Sequence, residues 1–406
     1  MQIWLKEKKG DITIKYILFL ISPFFAFVYS LRRINTRSSY FTFFFTAIFF
    51  SIAFSIPSGK GIEGGLDAQV YRAKFENFQN TNLTDFTNNL LDFLYFDDGK
   101  KDYYFDTIAF YISRITDNYH VMFMVFAIVF SYYSLKSLRF LTTEEKFDSS
   151  ITSYILLYLF TYNQIFNING MRFWTASWIA VYCIFQIYRN NNKKYFLLAL
   201  LTPYFHGSYW IFLAVLMIAQ LSKRFEKSWK IIFIISFFTK TFSLEFIEYF
   251  QQYLPAFLSN LSDKYTNIEA FEEISNQSGW IRTIKNIVFL YLFLIIMFFI
   301  KNEKTITSNL KTKNLYLFLL VWVSIFNFFM FIPSLGNRYI IISYPIISYI
   351  WLVNFKNTKY NKIIFLLPLV FLWNIIEQII YYNIVISYDF YFSSPFYLIY
   401  KYILNN

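Results

Sequence analysis

Apolar residues fall into about eleven long runs: 16–31, 40–57, 119–138, 151–168, 172–188, 195–221, 231–250, 280–300, 314–332, 339–354 and 363–383. A helix needs about 20 mostly apolar residues to cross the hydrocarbon core, so these runs read as candidate spans. The predicted fold is an all-α polytopic membrane protein with about 10–12 transmembrane helices. No internal repeat or low-complexity linker divides the chain, which is read as a single membrane domain over 1–406. The first run ends at Leu31-Arg32-Arg33 without a small-residue site, so it is not a cleaved signal peptide.

The polar stretches between the runs set the orientation. Six short loops are basic: Arg32–Arg37, Arg139–Lys146, Arg189–Lys194, Lys223–Lys230, Lys301–Lys313 and Lys356–Lys362. All six are assigned to the cytoplasm. Segment 58–118 carries ten acidic against six basic residues, and 251–279 is also acid-rich. Both are expected outside as extracytoplasmic loops, the first with short helices, together with the Asn169-Gly170 and Pro333–Asn337 turns and the C-terminal tail. Segment 195–221 has basic loops at both ends but is too short for two spans. A re-entrant pair of short helices with His206 near its tip is preferred over a single tilted span. The first run poses the same puzzle, because Lys6, Lys8 and Lys9 argue against an outside N-terminus.

Composition agrees with the pattern. The 406 residues are 57% hydrophobic and only 15% charged, against about 25% charged in soluble domains; mean hydropathy is +0.40. A soluble enzyme, a disordered chain and a disulfide-stapled secreted domain are excluded. The single cysteine, Cys183, rules out an intrachain disulfide and a cysteine-based zinc site. The net charge of +12 is attributed to cytoplasmic loops and not to nucleic-acid binding.

Candidate chemistry starts with arginine. Five of the eleven map to the outer side, Arg72, Arg114, Arg172, Arg282 and Arg338. The last three are read as opening helices just after outer turns. Guanidinium forks fit phosphate oxygens and helix N-termini add N–H donors, so convergence of these side chains would suit a diphosphate. The bland alternative is that each snorkels singly to a lipid headgroup. His206 reads either as a satisfied structural residue or as a proton acceptor in a cavity; His120 is placed at the interface without a role. After Gly64-Gly65, Asp67, Tyr71 and Phe75 share one face if a helix follows. Asp106 lies beside Tyr103-Tyr104-Phe105, and such carboxylate–tyrosine neighbours suit sugar hydroxyls or an ordinary solvated loop. Asp97-Asp98 alone is weak evidence for a cation. Phosphate-binding, dinucleotide, zinc-protease and nucleophile-elbow motifs are absent.

Taken in order, Gly65-Leu66-Asp67-x-x-x-Tyr71, Asp106, Asn169-Gly170-Met171-Arg172, Phe205-His206-Gly207-Ser208 and Asn337-Arg338-Tyr339 resemble the EpsG family of Wzy-like polysaccharide polymerases, over about 12–355. The chain departs from the family pattern at three places. Lys60 stands where an arginine is frequent, Phe173 where a glutamine commonly follows the arginine, and Thr107 where a proline often follows the acid. The resemblance implies a GT-C-like glycosyltransferase; no cofactor or metal is expected. It would join repeat units on undecaprenyl diphosphate into an O-antigen, capsular or exopolysaccharide chain, at the periplasmic face of the bacterial inner membrane. Under that reading Arg172, Arg338 and Arg282 bind diphosphate. Asp67, then His206, are the candidate bases, and Tyr71, Asp106 and Tyr339 contact sugar. Expected partners are the lipid-linked oligosaccharide, membrane lipid and a chain-length regulator, with no nucleic acid. The alternatives are an O-antigen ligase or other transferase using a lipid-linked donor, and a flippase or transporter without enzymatic activity.

Overall fold

The computed structural model describes residues 4–54, 67–95, 101–222, 225–238, 279–331, 333–368, 372 and 387–405, with the side chains of 279–286 and 331–334 excepted. Gly64–Leu66, Lys60, Asp97-Asp98, the interior of the 251–279 loop and most of 363–383 lie outside these residues. All regular elements among the described residues are helices.

The first run is two helices, α1 (Lys9–Ile21) and α2 (Pro23–Ser30). Ser22 is extended and its hydroxyl caps α2, with Pro23 at the favoured first position. The pair doubles back. Asp11 at the start of α1 is bonded to Arg33 beyond the end of α2 at 2.7 Å, and Leu5 N–H reaches the Asn35 carbonyl. The expected single span over 16–31 is thus a helical hairpin, which returns the chain at Leu5 to the side of the Arg32–Arg37 loop. Helix α3 (Arg37–Ile52) follows, and its first turn is tied to α1 by buried Lys15, which donates to Thr36, Ser38 and Ser39 and pairs with Glu7.

The acid-rich segment supplies α4 (Asp67–Phe78), α5 (Leu83–Tyr95) and α6 (Tyr104–Ser113), the short helices predicted there. Helix α7 (Tyr119–Thr142) packs against α3 and against α9 (Met171–Ile184), with α8 (Ile151–Phe160) between them in sequence. His120 is buried, its ring 4.1 Å from that of Tyr119 and 5.1 Å from that of Tyr402. Among the described residues α7 alone is long and apolar enough by itself to cross a membrane. The other runs are interrupted, or carry charges such as Lys311 and Lys313.

Segment 195–221 is the clearest interruption. Helices α10 (Tyr195–Ala199) and α11 (Thr202–Phe205) climb to His206, whose backbone is extended, and α12 (Trp210–Leu221) descends. Its geometry is fixed against α9. Tyr195 lies by Tyr182, His206 by Phe173, and the Leu216 carbonyl accepts from Tyr188. Both arms therefore start and finish at the C-terminal end of α9, the doubled-back form. Helices α13 (Glu226–Phe238), α14 (Gly279–Lys301), α15 (Glu303–Thr307), α16 (Leu310–Phe328), α17 (Pro333–Ile341) and α18 (Ser343–Asn354) complete the bundle, with α16 at its centre. The tail forms α19 (Asp389–Phe392) and α20 (Pro395–Ile399) and docks where Asn118 donates to the Tyr402 carbonyl at 2.7 Å.

Hydrogen bonds and ion pairs gather all six basic loops at one end. Tyr154 donates to Leu31, Lys230 pairs with Glu303, Glu144 takes both Arg189 and Lys311, Lys356 pairs with Asp148, and Asn361 donates to Thr152. Burial alone would raise the Glu144 carboxyl, but hydrogen bonds from Lys311, Arg189 and Tyr349 outweigh it and hold the group below the ordinary range. A carboxyl depressed in the folded state contributes stability above its unfolded pKa and loses it as pH falls through the folded value. Wild-type thermal stability in detergent should therefore drop below about pH 4.3. Glu144→Gln should be less stable at pH 7, by on the order of 1–3 kcal/mol, with a flatter acid limb. Parallel acid limbs in melting curves would refute the role given to Glu144.

Candidate functional site

The opposite end of α9 holds the sequence-predicted residues. A 3-10 turn over Ile165–Gly170 leads into α9 and places Arg172 in its first turn. Asn163 anchors this start by donating to the Trp174 carbonyl and the Ser177 hydroxyl at 3.1 and 3.0 Å. Met171 packs into the core shared by α3, α4 and α7, and Phe173 into the larger core around α16. Arg172 thus stands on the seam between two apolar cores.

Helix α4 is joined to the same spot. Its Ala68 N–H, an orphan donor of the first turn, is accepted by Asn169 Oδ1 at 2.9 Å. Ala68, Tyr71 and Phe75 are buried, while Asp67 is exposed at the helix start with its charge felt by Tyr71. The Tyr71 hydroxyl accepts from Arg172 Nε at 3.0 Å, and the guanidinium lies 5.3 Å from the ring centroid.

Asp102 completes the arrangement, and the sequence reading gave it no role. Arg172 Nη1 donates to both of its oxygens at 2.9 and 3.1 Å, and Gly207 N–H reaches one of them at 3.4 Å. Burial is the dominant influence on Asp102 and pushes its carboxyl above the ordinary range, with Arg172 pulling the other way. Nη2 of Arg172 makes no hydrogen bond among the described residues. Asp106 lies one turn further along, half-buried, with its charge felt by Asp102, Tyr103 and Tyr204.

The tip of the 195–221 hairpin forms the facing wall. His206 Nδ1 and the Ser208 hydroxyl are 2.8 Å apart, and Ser208 is 2.7 Å from the Tyr339 hydroxyl. Tyr339 is fully buried; its ring stacks on Phe326 at 4.5 Å and its carbonyl accepts from Trp322 Nε1. Arg338 is half-buried, 5.7 Å from the Phe173 ring centroid, and has no carboxylate partner among the described residues. The charges of Arg172 and Arg338 both reach His206. The structure therefore brings together Asp67, Tyr71, Asp106, Arg172, His206, Arg338 and Tyr339. Arg282 lies in the first turn of α14, its side chain outside the described residues.

One detail differs from expectation. Arg338 does not open a helix. Pro333 starts α17, and the expected turn at Pro333–Asn337 is helical, so Arg338 sits past the middle of α17 and gains nothing from an N-terminus. Gly336 permits this, since a Cβ there would lie 2.5 Å from the Phe329 carbonyl oxygen. Asp102 was hidden in a Lys-Lys-Asp charge run that reads as solvated; the Tyr103-Tyr104-Phe105 that follows was the signal that the run must end in a core. Ser208 lay within the quoted Phe-His-Gly-Ser motif without a role.

The EpsG family model matches residues 42–393, most of the chain and every residue of this constellation. The chain belongs to the EpsG family. No curated protein and no solved structure matches it significantly. Membership makes this EpsG-family chain a membrane-associated enzyme of polysaccharide biosynthesis. Among its described residues no three His, Cys, Asp or Glu side chains gather as metal ligands.

Proposed function

We propose that this chain is a polytopic glycosyltransferase of the bacterial inner membrane that polymerises oligosaccharide repeat units carried on undecaprenyl diphosphate, with its active site facing the periplasm. The observation that carries the reading is the meeting of Arg172 and Arg338 at the tip of the His206 hairpin, at the end of the bundle away from the basic loops. An acceptor hydroxyl oxygen bonds the anomeric carbon while the carbon–oxygen bond to the diphosphate breaks. The charge growing on the leaving diphosphate is met by Arg338 and by the free Nη2 of Arg172. The hydroxyl proton passes to Asp67, exposed at the start of α4. His206, tied through Nδ1 to Ser208, is the second candidate, and Asp106 orients sugar hydroxyls. Tyr71 and Tyr339, both buried, position Arg172 and Ser208 and do not touch sugar. A chain-length regulator is the expected protein partner.

Deletion of the protein in its native host should accumulate lipid-linked single repeats, and complementation should restore a ladder of repeats. A single added unit would identify a ligase or simple transferase instead. Movement of lipid-linked substrate in liposomes with no glycosidic bond formed would identify a flippase, and either result would overturn polymerisation.

A further inference from the structure

The basic end of the bundle holds a pocket of about 300 Å³ that the proposed reaction does not use. One wall is the last turns of α7, where Lys136 and Arg139 stand three residues apart on one face. The other is the end of α9 with Tyr182 and the π turn over Phe185–Arg189 that follows it, which carries Gln186 and Arg189. Such turns bulge a helix and recur at functional sites. The polar groups of this second wall are wired to each other. Gln186 donates to Tyr182 at 3.0 Å, Asn190 to Gln186 at 2.8 Å, and Arg189 to Asn190 at 2.6 Å, while Glu144 and Tyr349 hold Arg189 from behind.

The first wall is different. Lys136 and Arg139 have no carboxylate partner among the described residues, although Lys230, Lys311 and Lys356 at the same end each hold one. Lys136 rests over the Tyr132 ring at 4.3 Å and Arg139 over the Trp4 ring at 4.2 Å, contacts that orient the cations without neutralising them. Nε of Arg139 is buried and has no acceptor. Buried donors are normally satisfied. No carboxylate lines the pocket among the described residues, and Glu144, which holds Arg189, is already engaged by Arg189, Lys311 and Tyr349.

We infer that this pocket binds a phosphate-type oxyanion, held by Lys136 and Arg139 and received by the Gln186–Asn190 network. The cavity exceeds by many-fold the roughly 10–15 Å³ needed to admit one water, so a phosphate group fits. The anion arrives either as the headgroup of an anionic phospholipid or as a free phosphate compound; the recognising chemistry is the same. Along α9 and its π turn the pocket is centred about 20 Å from Arg172, so it is a second site and not part of the first.

The test uses the purified full-length protein in neutral detergent, with two probes. One is inorganic pyrophosphate; the other is phosphatidylglycerol in mixed micelles, with phosphatidylcholine as its control. Thermal midpoint and retained lipid by native mass spectrometry are the readouts. One probe should raise the midpoint by a few degrees, and which one does so assigns the source. Measured in an Arg338→Ala background, which removes the diphosphate clamp of the proposed reaction, the Lys136→Gln/Arg139→Gln variant should bind that probe at least about tenfold more weakly. Wild-type binding should also weaken between low and high salt, a criterion that stands if the double variant fails to fold. No shift with either probe, equal binding by a folded double variant, or salt-insensitive binding would each overturn the inference.

Discussion

Arg338→Ala should abolish long-chain polysaccharide while leaving the protein inserted and nearly as stable as wild type. The Arg338 guanidinium makes no ion pair among the described residues and lies 5.7 Å from the Phe173 ring centroid, so truncation removes a charge from the site and breaks no buried pair. Losing one donor aimed at developing negative charge costs about 10²–10³ in rate. Arg172→Ala should be equally inactive for two reasons at once. It removes the Nη2 donor and strands buried Asp102, whose side chain is 8% exposed. Breaking a buried pair by removing one partner costs about 3–5 kcal/mol. Adding Asp102→Asn to Arg172→Ala should recover much of that stability and none of the activity. Arg172→Lys should recover little of either, because a single ammonium cannot serve Tyr71 and Asp102 together and still offer a free donor. Ladder length at matched expression and melting in detergent read the two effects separately. Normal ladders from folded Arg338→Ala would remove the diphosphate clamp from the mechanism.

The difference between the two arginines follows from a pairing that sequence spacing does not encode. Asp102 and Arg172 are 70 positions apart, and nothing in Lys100-Lys101-Asp102 distinguishes an ion-pair acid from a loop acid. Local grammar was more readable. The Gly65-Leu66-Asp67-x-x-x-Tyr71 stretch put Asp67, Tyr71 and Phe75 on one face if a helix followed, and α4 forms and buries Tyr71 and Phe75. The basic-loop ledger required 195–221 to begin and end on one side, and Pro203 with His206-Gly207 supplied the break. The same ledger flagged the first run, but Ser22-Pro23 was not read as a turn, because a proline inside an apolar run is also compatible with a kinked span. Helix breaks set by a single residue are local and visible. Contacts set by how two cores meet are not, and Arg172 owes its place to Met171 and Phe173 facing different cores.

That seam makes the strongest single-residue test of the scaffold a glycine. The chain runs Lys101 directly against the hairpin tip, and an added Cβ at Gly207 would lie 2.4 Å from the Lys101 carbonyl oxygen and 3.0 Å from its Cβ. The obstruction is backbone, so no rotamer change relieves it. Gly207→Ala should push residues 101–103 away from the tip. Two bonds that zip these segments would loosen, Gly207 N–H to Asp102 and Tyr103 N–H to the Tyr204 carbonyl at 3.0 Å. Overpacking of this kind costs about 1–3 kcal/mol, and because Asp102 carries Arg172 with it, activity should fall further than stability. A misplacement of about 1 Å can cost 10²-fold in rate. Gly10 provides the contrast. No atom lies within 4 Å of a Cβ there, and it occupies the first turn of α1. Gly10→Ala should leave the ladder unchanged and melting the same or slightly higher, by at most about 1 kcal/mol. Equal behaviour of the two alanine variants would mean that the Lys101–Gly207 contact does not hold Asp102 under Arg172.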